Sequence, residues 1–424
     1  MKGADAIAES LRTCADRYYT VPGYPVTDIA AALNAEIVIN EKVALEYALG
    51  DSLDGRRAAV IIKNVGLNVC ADPLVNATTQ GLCAGVIIIA GDDVLARGSQ
   101  NTQDSRYFGE LAQVPVIEPD ERTCSAAIVA AFEASERFSR IAIVRITPPL
   151  LDKDVSVGST IVRRNRKGHL ASPDLTMRGR AQAADHTAVE MFSWSKSSNL
   201  NLWKGGIVGV GAAEGESKAV TVYPPPCDAD ILAHTRELGR PFVHDHRWLQ
   251  PPEVTGSPET FADRGFCRTF CRNCPFRTVL ELLKAKGMEV ICDMGCAVLA
   301  GNPPYRIGRA CYALGSSVAV AARSTKVALT GDFALLHSGI NALIDVYEKQ
   351  LPLLCIVLKN DRMGMTGGQP VYDLNRYLAW ADPVVCRADE SSRLRERIVL
   401  PTHPVTLIIE GTCPEGCTHE TVEC

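Results

Sequence analysis

Residues Gly331 to Asn360 read GDFALLHSGINALIDVYEKQLPLLCIVLKN. The apolar run VALT, 327–330, leads into Gly331 and an acid, Asp332, and the next run, LPLLCIVL, 351–358, leads into Lys359 and an amide, Asn360. Between them INALIDVYEKQ spaces its apolar residues as one face of a helix does. Strand, helix and strand in this order make one crossover of a parallel sheet, and ligands of such sheets bind beyond the carboxyl ends of the strands. If the two strands are neighbours, both side chains reach one crevice. Ser338 reads as the N-cap of the helix, so the turn at Ser338 and Gly339 offers backbone N–H groups to an anion. A carboxylate, an amide oxygen and a bound diphosphate together form an octahedral oxygen site suited to magnesium. Taken alone, the pair also reads as two ordinary strand-end turn residues, since Gly91-Asp92 repeats the motif without such a partner.

The same alternation extends outward. Before about Pro149, helical segments such as ADAIAESLRTC and EKVALEYALGDSL alternate with short apolar runs, AAVIIK, GVIIIAG and IAIVRI. Another such block follows Cys267. The expected fold class is α/β, with parallel-sheet domains over 1–160 and 261–424 flanking a linker and a shortened α/β middle domain over 161–260. The basic stretch RRNRKGHLASPDLTMRGRAQ, 163–182, reads as a solvated linker or surface arm, with a phosphate-binding patch as the other reading. HDH, His244–His246, reads as a strand end rather than a metal site, because alternate strand residues face opposite ways.

The chain has 424 residues, 46% of them hydrophobic and 22% charged, with a formal net charge of -5. This balance speaks against a polyanionic partner, so no nucleic acid and no anionic membrane is expected. The opening MKGADAIAESLRTC lacks a basic segment followed by an apolar one, and the longest apolar runs fall short of the roughly 20 residues that span a bilayer. A cytoplasmic protein is expected. Its 16 cysteines then point to metal or catalytic use rather than to disulfides, although Cys14 and Cys355 read as small core residues.

Several long stretches carry a family resemblance. GDFALLHSGI…VLKNDRMGMTGGQP resembles the thiamine diphosphate signature of the indolepyruvate ferredoxin oxidoreductase alpha subunit and its 2-oxoacid:ferredoxin oxidoreductase relatives. INEKVALEYALGDSLDGRRAAVIIKNVGLNVCADPL and RGSQNTQDSRYFGELAQVPVIEP resemble its pyrimidine-binding domain. CRNCPFR, CDMGC and MTGGQP resemble its diphosphate-binding domain, and VYPPPCDADILAHTRELGRPFVHDH a shortened third domain. The resemblance thus implies two thiamine diphosphate-binding-type domains and an oxidative decarboxylation of a 2-oxo acid, aryl pyruvate-like, with coenzyme A as co-substrate. It makes Glu41 the catalytic acid beside the aminopyrimidine, a task for which partial burial suits a carboxylate; an exposed acid in the first turn of a helix is the bland alternative. It makes Asp332, Asn360 and the backbone carbonyl of Arg362 ligands of Mg2+, with Gly331, Ser338, Gly339 and Met365 also at the cofactor. GDF stands where the family more often has GDG or GDS. Thr27, in TVPGYPVTDI, is implied near the substrate carboxylate, and Arg106, in QDSR, is a second candidate for that anion or else a surface cation.

The cysteines decide between kinds of thiamine enzyme. Cys271 and Cys274 form a CxxC, Cys296 closes DMGC, and Cys413 follows the apolar run VTLIIEGT. Each matches a position where the wider family has a ligand of a [4Fe-4S] cluster, which takes four thiolates. CxxC alone also fits zinc or a redox pair, and Cys267, Cys292, Cys311 and Cys417 are further thiols. The family's alpha subunits continue into a ferredoxin-like module that this sequence, ending at Cys424, is expected to lack, so electrons would pass to ferredoxin or another separate electron-transfer protein. A homodimer with a smaller partner subunit is also implied, because enzymes of this type usually build the cofactor site between domains of two chains. The alternatives are a non-oxidative 2-oxoacid decarboxylase or carboligase, which would not need the four cysteines, and a non-catalytic scaffold or regulatory paralogue, which would not need Glu41.

Overall fold

The computed structural model describes residues 1–93, 98, 103–155, 167–198, 222–223, 252–414, 416 and 418–424. The chain divides into two units, Met1–Ala171 with Ala181–Ser257, and Ser172–Arg180 with Pro258–Cys424.

In the first unit the short apolar runs become β1 (Arg17–Thr20), β2 (Glu36–Ile37), β3 (Ala58–Lys63), β4 (Val86–Gly91), β5 (Val116–Ile117) and β6 (Ala142–Ile146). They lie in the order β2-β1-β3-β4-β6-β5, every pair parallel. β7 (Val222–Tyr223) pairs antiparallel with β5 at the edge. β3 and β4 are almost wholly apolar because both faces of a parallel sheet are covered, and every residue of β4 is buried. On one face Ile87 and Ile89 of β4 join Ile7 and Leu11 of the helix Gly3–Cys14 and Ile128 and Phe132 of the helix Cys124–Phe138 in one core. The helix Glu41–Leu53 is buried from Lys42 to Leu53. Its charges are accordingly paired, Lys42 with Glu46 at 2.7 Å and Asp51 with Arg56 at 2.8 Å.

The second unit contains β8 (Phe266–Cys271), β9 (Val290–Cys292), β10 (Gly308–Ala310), β11 (Val327–Gly331), β12 (Leu353–Lys359), β13 (Arg362–Met363), β14 (Gln369–Pro370), β15 (Val384–Arg387), β16 (Pro404–Glu410) and β17 (His419–Glu423). Its main sheet runs β10-β9-β11-β12-β16-β15, again all parallel. β11 and β12 are neighbours, with Gly331 opposite Leu358, so the crossover read from the sequence is present. Ile356 and Val357 of β12 are fully buried, each worth about 1.5–3 kcal/mol of transfer free energy. Two small antiparallel pairs, β13–β14 and β8–β17, stand apart from the main sheet. The fold class is therefore α/β with two parallel sheets, as expected.

The expected middle domain over 161–260, with the HDH motif, lies largely outside the described residues, and so does Cys417. The described part of the basic stretch differs from a solvated arm. Leu170 bridges Gly81 in the first unit, Leu175 bridges Thr260 in the second, and the helix Met177–Ser197 begins inside it. Weak apolar periodicity hid that helix. Among the described residues no helix is long and apolar enough to cross a membrane.

Candidate functional site

In the second unit the loops that leave the carboxyl ends of β9, β11, β12 and β16 carry Asp293, Asp332, Asn360 and Cys413. Helical structure starts at Asp332 itself, directly after β11, with Gly331 in the N-cap position. The Asp332 carboxylate is 2% exposed. It accepts from the backbone N–H of Phe333 at 2.8 Å, of Asn360 at 3.1 Å and of Asp361 at 2.7 Å. Burial pushes the Asp332 carboxyl up, and these N–H donors pull it part of the way back. A cation beside it would favour the anion further.

Asn360 has a partner at each end of its amide. Oδ1 accepts a long bond, 3.4 Å, from the Arg362 N–H, while Nδ2 donates to Cys413 Sγ at 2.9 Å.

Asp332, Asn360, Arg362 and Met365 line one cavity of about 340 Å³. Cys271, Cys274, Cys296 and Cys413 line the same cavity. Cys271 ends β8, and the turn after it brings the Cys274 N–H to the Cys271 carbonyl at 3.0 Å. The Arg277 guanidinium holds that carbonyl from the next helix at 2.9 Å. Burial, with Cys413 and Cys271 close by, pushes the Cys274 thiol up to about 12, so thiolates here need a cationic centre to stabilise them. Cys296 Sγ lies 3.5 Å from His419 Nε2. Among the described residues no three His, Cys, Asp or Glu side chains close on a point that would hold a single metal ion.

Two residues at this edge escaped the sequence reading. Asp293 is fully buried and accepts from the N–H of Met294 (2.9 Å) and Gly315 (2.7 Å) and from the hydroxyls of Ser317 (2.8 Å) and Thr330 (3.1 Å), tying the end of β9 to β11. Its signal was present: an acid follows an apolar run there as at Asp332. His419 had no local signal, because it reaches the cavity through the pairing of β17 with β8, where it stands opposite Cys271.

Ser338 and Gly339 correct an expectation. The helix does not begin at Ser338 but continues from Asp332–Ala334 through a π-helical turn, Leu335–Gly339, into Ile340–Glu348. Ser338 Oγ donates to the Leu314 carbonyl, so it caps nothing. Ser338 and Gly339 pack against Gly315 and do not line the cavity. The helix starts instead at Asp332, whose own carboxylate takes the Phe333 N–H.

In the first unit Thr27 and Glu41 each open a helix, Thr27–Ala32 after β1 and Glu41–Leu53 after β2. Glu41 opens its helix, half-buried, behind Asn40, whose side chain caps the Val43 N–H at 2.9 Å. A Cβ on Gly66 would meet Glu41 Cγ at 2.8 Å and Oε1 at 3.0 Å, so Gly66 makes room for this carboxylate. Thr27 is exposed, beyond a turn whose Pro25 and Val26 press on Gly91 at the end of β4. Arg106 is neither a surface cation nor available to an anion. It is 1% exposed and forks onto Asp104 at 2.8 Å, within a buried network that includes Arg145, Asp92 and Glu118.

The donors fit the groups expected of them: the oxygens of Asp332, Asn360 and Arg362 suit a hard divalent cation, and four thiols suit iron and sulfide. Residues 303–383 match the family described as the thiamine pyrophosphate enzyme, C-terminal TPP binding domain, a span that holds Asp332, Asn360, Arg362 and Met365 but none of the four cysteines. The indolepyruvate oxidoreductase subunit IorA of Methanothermobacter thermautotrophicus is 25% identical over 450 residues, covering 83% of this chain and 73% of its own. The IorA subunit of Pyrococcus horikoshii is 36% identical over 140 residues, 31% of this chain and 22% of its own. A crystal structure described as that of a thiamin diphosphate-dependent enzyme from Mycobacterium smegmatis superposes with a TM-score of 0.59 at 15% identity, covering 98% of this chain and 100% of that one, a likeness of fold. The chain is thus similar over most of its length to the indolepyruvate oxidoreductase subunit IorA, and its residues 303–383 match the C-terminal TPP binding domain of thiamine pyrophosphate enzymes.

Proposed function

We propose that this chain is the catalytic subunit of a 2-oxoacid oxidoreductase that uses thiamine diphosphate and Mg2+ and sends electrons through a [4Fe-4S] cluster on Cys271, Cys274, Cys296 and Cys413. The observation that carries this reading is the shared cavity, since the four thiols line the same space as Asp332 and Asn360. An electron carrier has to lie close to its source. A non-oxidative decarboxylase on the same scaffold has no use for that convergence. The names of the relatives support indolepyruvate as the substrate; another aryl pyruvate, coenzyme A as co-substrate and ferredoxin or another separate protein as acceptor belong to the same proposal. Their description as subunits supports a partner chain; a homodimer core and a place in the cytoplasm complete the proposal.

When bound, thiamine diphosphate supplies the electron sink for decarboxylation. The protein's share is to hold and to move protons. Asp332, Asn360 and the Arg362 carbonyl would hold the cation, with Gly331 and Met365 beside them. Glu41 would supply the carboxyl that holds or gives up a proton beside the aminopyrimidine, and Thr27 is the remaining candidate for the substrate carboxylate.

Protein purified without oxygen and with ample iron is expected to contain roughly four iron and four sulfide per chain, the composition of such a cluster. Serine in place of any one of the four cysteines lowers that content, and serine at Cys311 does not. Folded protein with zinc or no metal at this site would turn the reading toward the non-oxidative decarboxylase.

A further inference from the structure

The side chain of Asn360 spans two sites that the proposed function treats separately. Its position just beyond β12 sets Oδ1 3.4 Å from the backbone N–H of Arg362, one of the residues proposed to hold the cation, and Nδ2 donates to Cys413 Sγ at 2.9 Å. The Arg362 N–H, which needs an acceptor, favours this orientation of the amide. Gly364 stands close to both Asn360 and Cys296. A Cβ at that position would stand 3.7 Å from Asn360 Nδ2 and 3.4 Å from Cys296 Sγ. One planar amide therefore meets a cysteine sulfur by its nitrogen and the backbone of a proposed cation ligand by its oxygen.

We infer that Asn360 couples the two sites, its amide hydrogen-bonding a thiolate of the iron–sulfur cluster through Nδ2 while its oxygen serves the divalent cation. This rests on the proposed function. A donor to a cluster thiolate draws negative charge from the sulfur and favours the reduced cluster, which raises the reduction potential. A cation on Oδ1 polarises the amide and makes its N–H a stronger donor. Loading the cation thus makes the cluster a better acceptor at the moment when the decarboxylation site is assembled. Coupling between two binding equilibria is reciprocal, so reduction of the cluster must tighten Mg2+ binding in turn. No proton or electron passes through Asn360. It acts as a positioning residue whose hydrogen bond reports the state of one site to the other.

The test is a redox titration of the cluster-loaded protein, followed by electron paramagnetic resonance, with and without Mg2+ and thiamine diphosphate. Exchangeable protons coupled to the reduced cluster are measured by electron–nuclear double resonance in the same samples. In the wild type the midpoint is expected to rise on loading and Mg2+ affinity to rise about 5-fold or more on reduction, the lower range of measured couplings. Asn360→Asp keeps an oxygen for the cation and removes the N–H donor. That variant is expected to lose one exchangeable-proton coupling and to have a lower midpoint that no longer responds to loading as the wild type does. The loading dependence of the wild type needs no variant, so a misfolded Asn360→Asp protein does not shelter the inference. A cluster whose midpoint and proton couplings are the same with and without Mg2+ overturns the coupling and leaves the proposed function standing. Absence of any cluster overturns both.

Discussion

Glu41 shows how a single carboxylate is placed by residues around it. Asn40 caps the helix that Glu41 opens, and Gly66 alone gives the side chain room, because any Cβ there would stand 3.0 Å or less from Glu41 Cγ and Oε1. Gly66→Ala is therefore expected to push the Glu41 carboxylate aside and lower turnover by about tenfold or more, since misplacement of a reacting group by an ångström costs as much as a hundredfold. Glu41→Gln, which keeps the shape but cannot relay a proton, sets the floor. Cofactor affinity and melting temperature should change little in both. A Gly66→Ala protein with wild-type turnover would detach this contact from catalysis. At this scale the sequence shows what stands at strand ends, so Asp332, Asn360 and the four cysteines were legible as candidates for one place. Arg106 was not. Its burial depends on Asp92, Glu118 and Arg145, brought from other loops and strands, and no local pattern announces a buried ion network.

The elements that hold the second site are joined by close backbone approaches. Gly315 has φ +82, and a Cβ there would come within 2.4 Å of Gly339 N and of Ser338 Oγ, while its N–H goes to Asp293 at 2.7 Å. Gly315→Ala combines an unfavourable left-handed backbone with a clash against the π-helical turn. The expected loss is about 3 kcal/mol, from roughly 1 kcal/mol for the backbone and 1–3 kcal/mol for overpacking, read in a denaturant titration. A loss under about 0.5 kcal/mol would mean that the π-helical turn is free to move away. The alternation of apolar runs and helical segments made the two parallel sheets readable, since strands covered on both faces are nearly all apolar. The π-helical turn was not readable. HSG before INALIDVYEKQ has the look of a cap, and only the start of the helix directly after β11 turns Ser338 into an interior residue. The β8–β17 pairing was hidden for a different reason: the two strands lie about 150 positions apart in sequence, and neither carries a turn that names its partner.

For the whole molecule, the proposed function sets the size of the working assembly and the fate of the electrons. A chain of 45.7 kDa that works as a homodimer with a smaller partner should sediment at no less than twice its own mass, and a fully active monomer at assay concentration would contradict that. Whether electrons pass from decarboxylation to the cluster within the shared cavity is read in a single turnover. Protein loaded with iron, sulfide, Mg2+ and thiamine diphosphate is mixed without oxygen with an aryl pyruvate and coenzyme A, and visible absorbance and released carbon dioxide are followed together. The cluster is expected to bleach as carbon dioxide appears, and the colour to return when an oxidised ferredoxin is added. Release of carbon dioxide with an aldehyde as product and no bleaching would contradict that transfer of electrons.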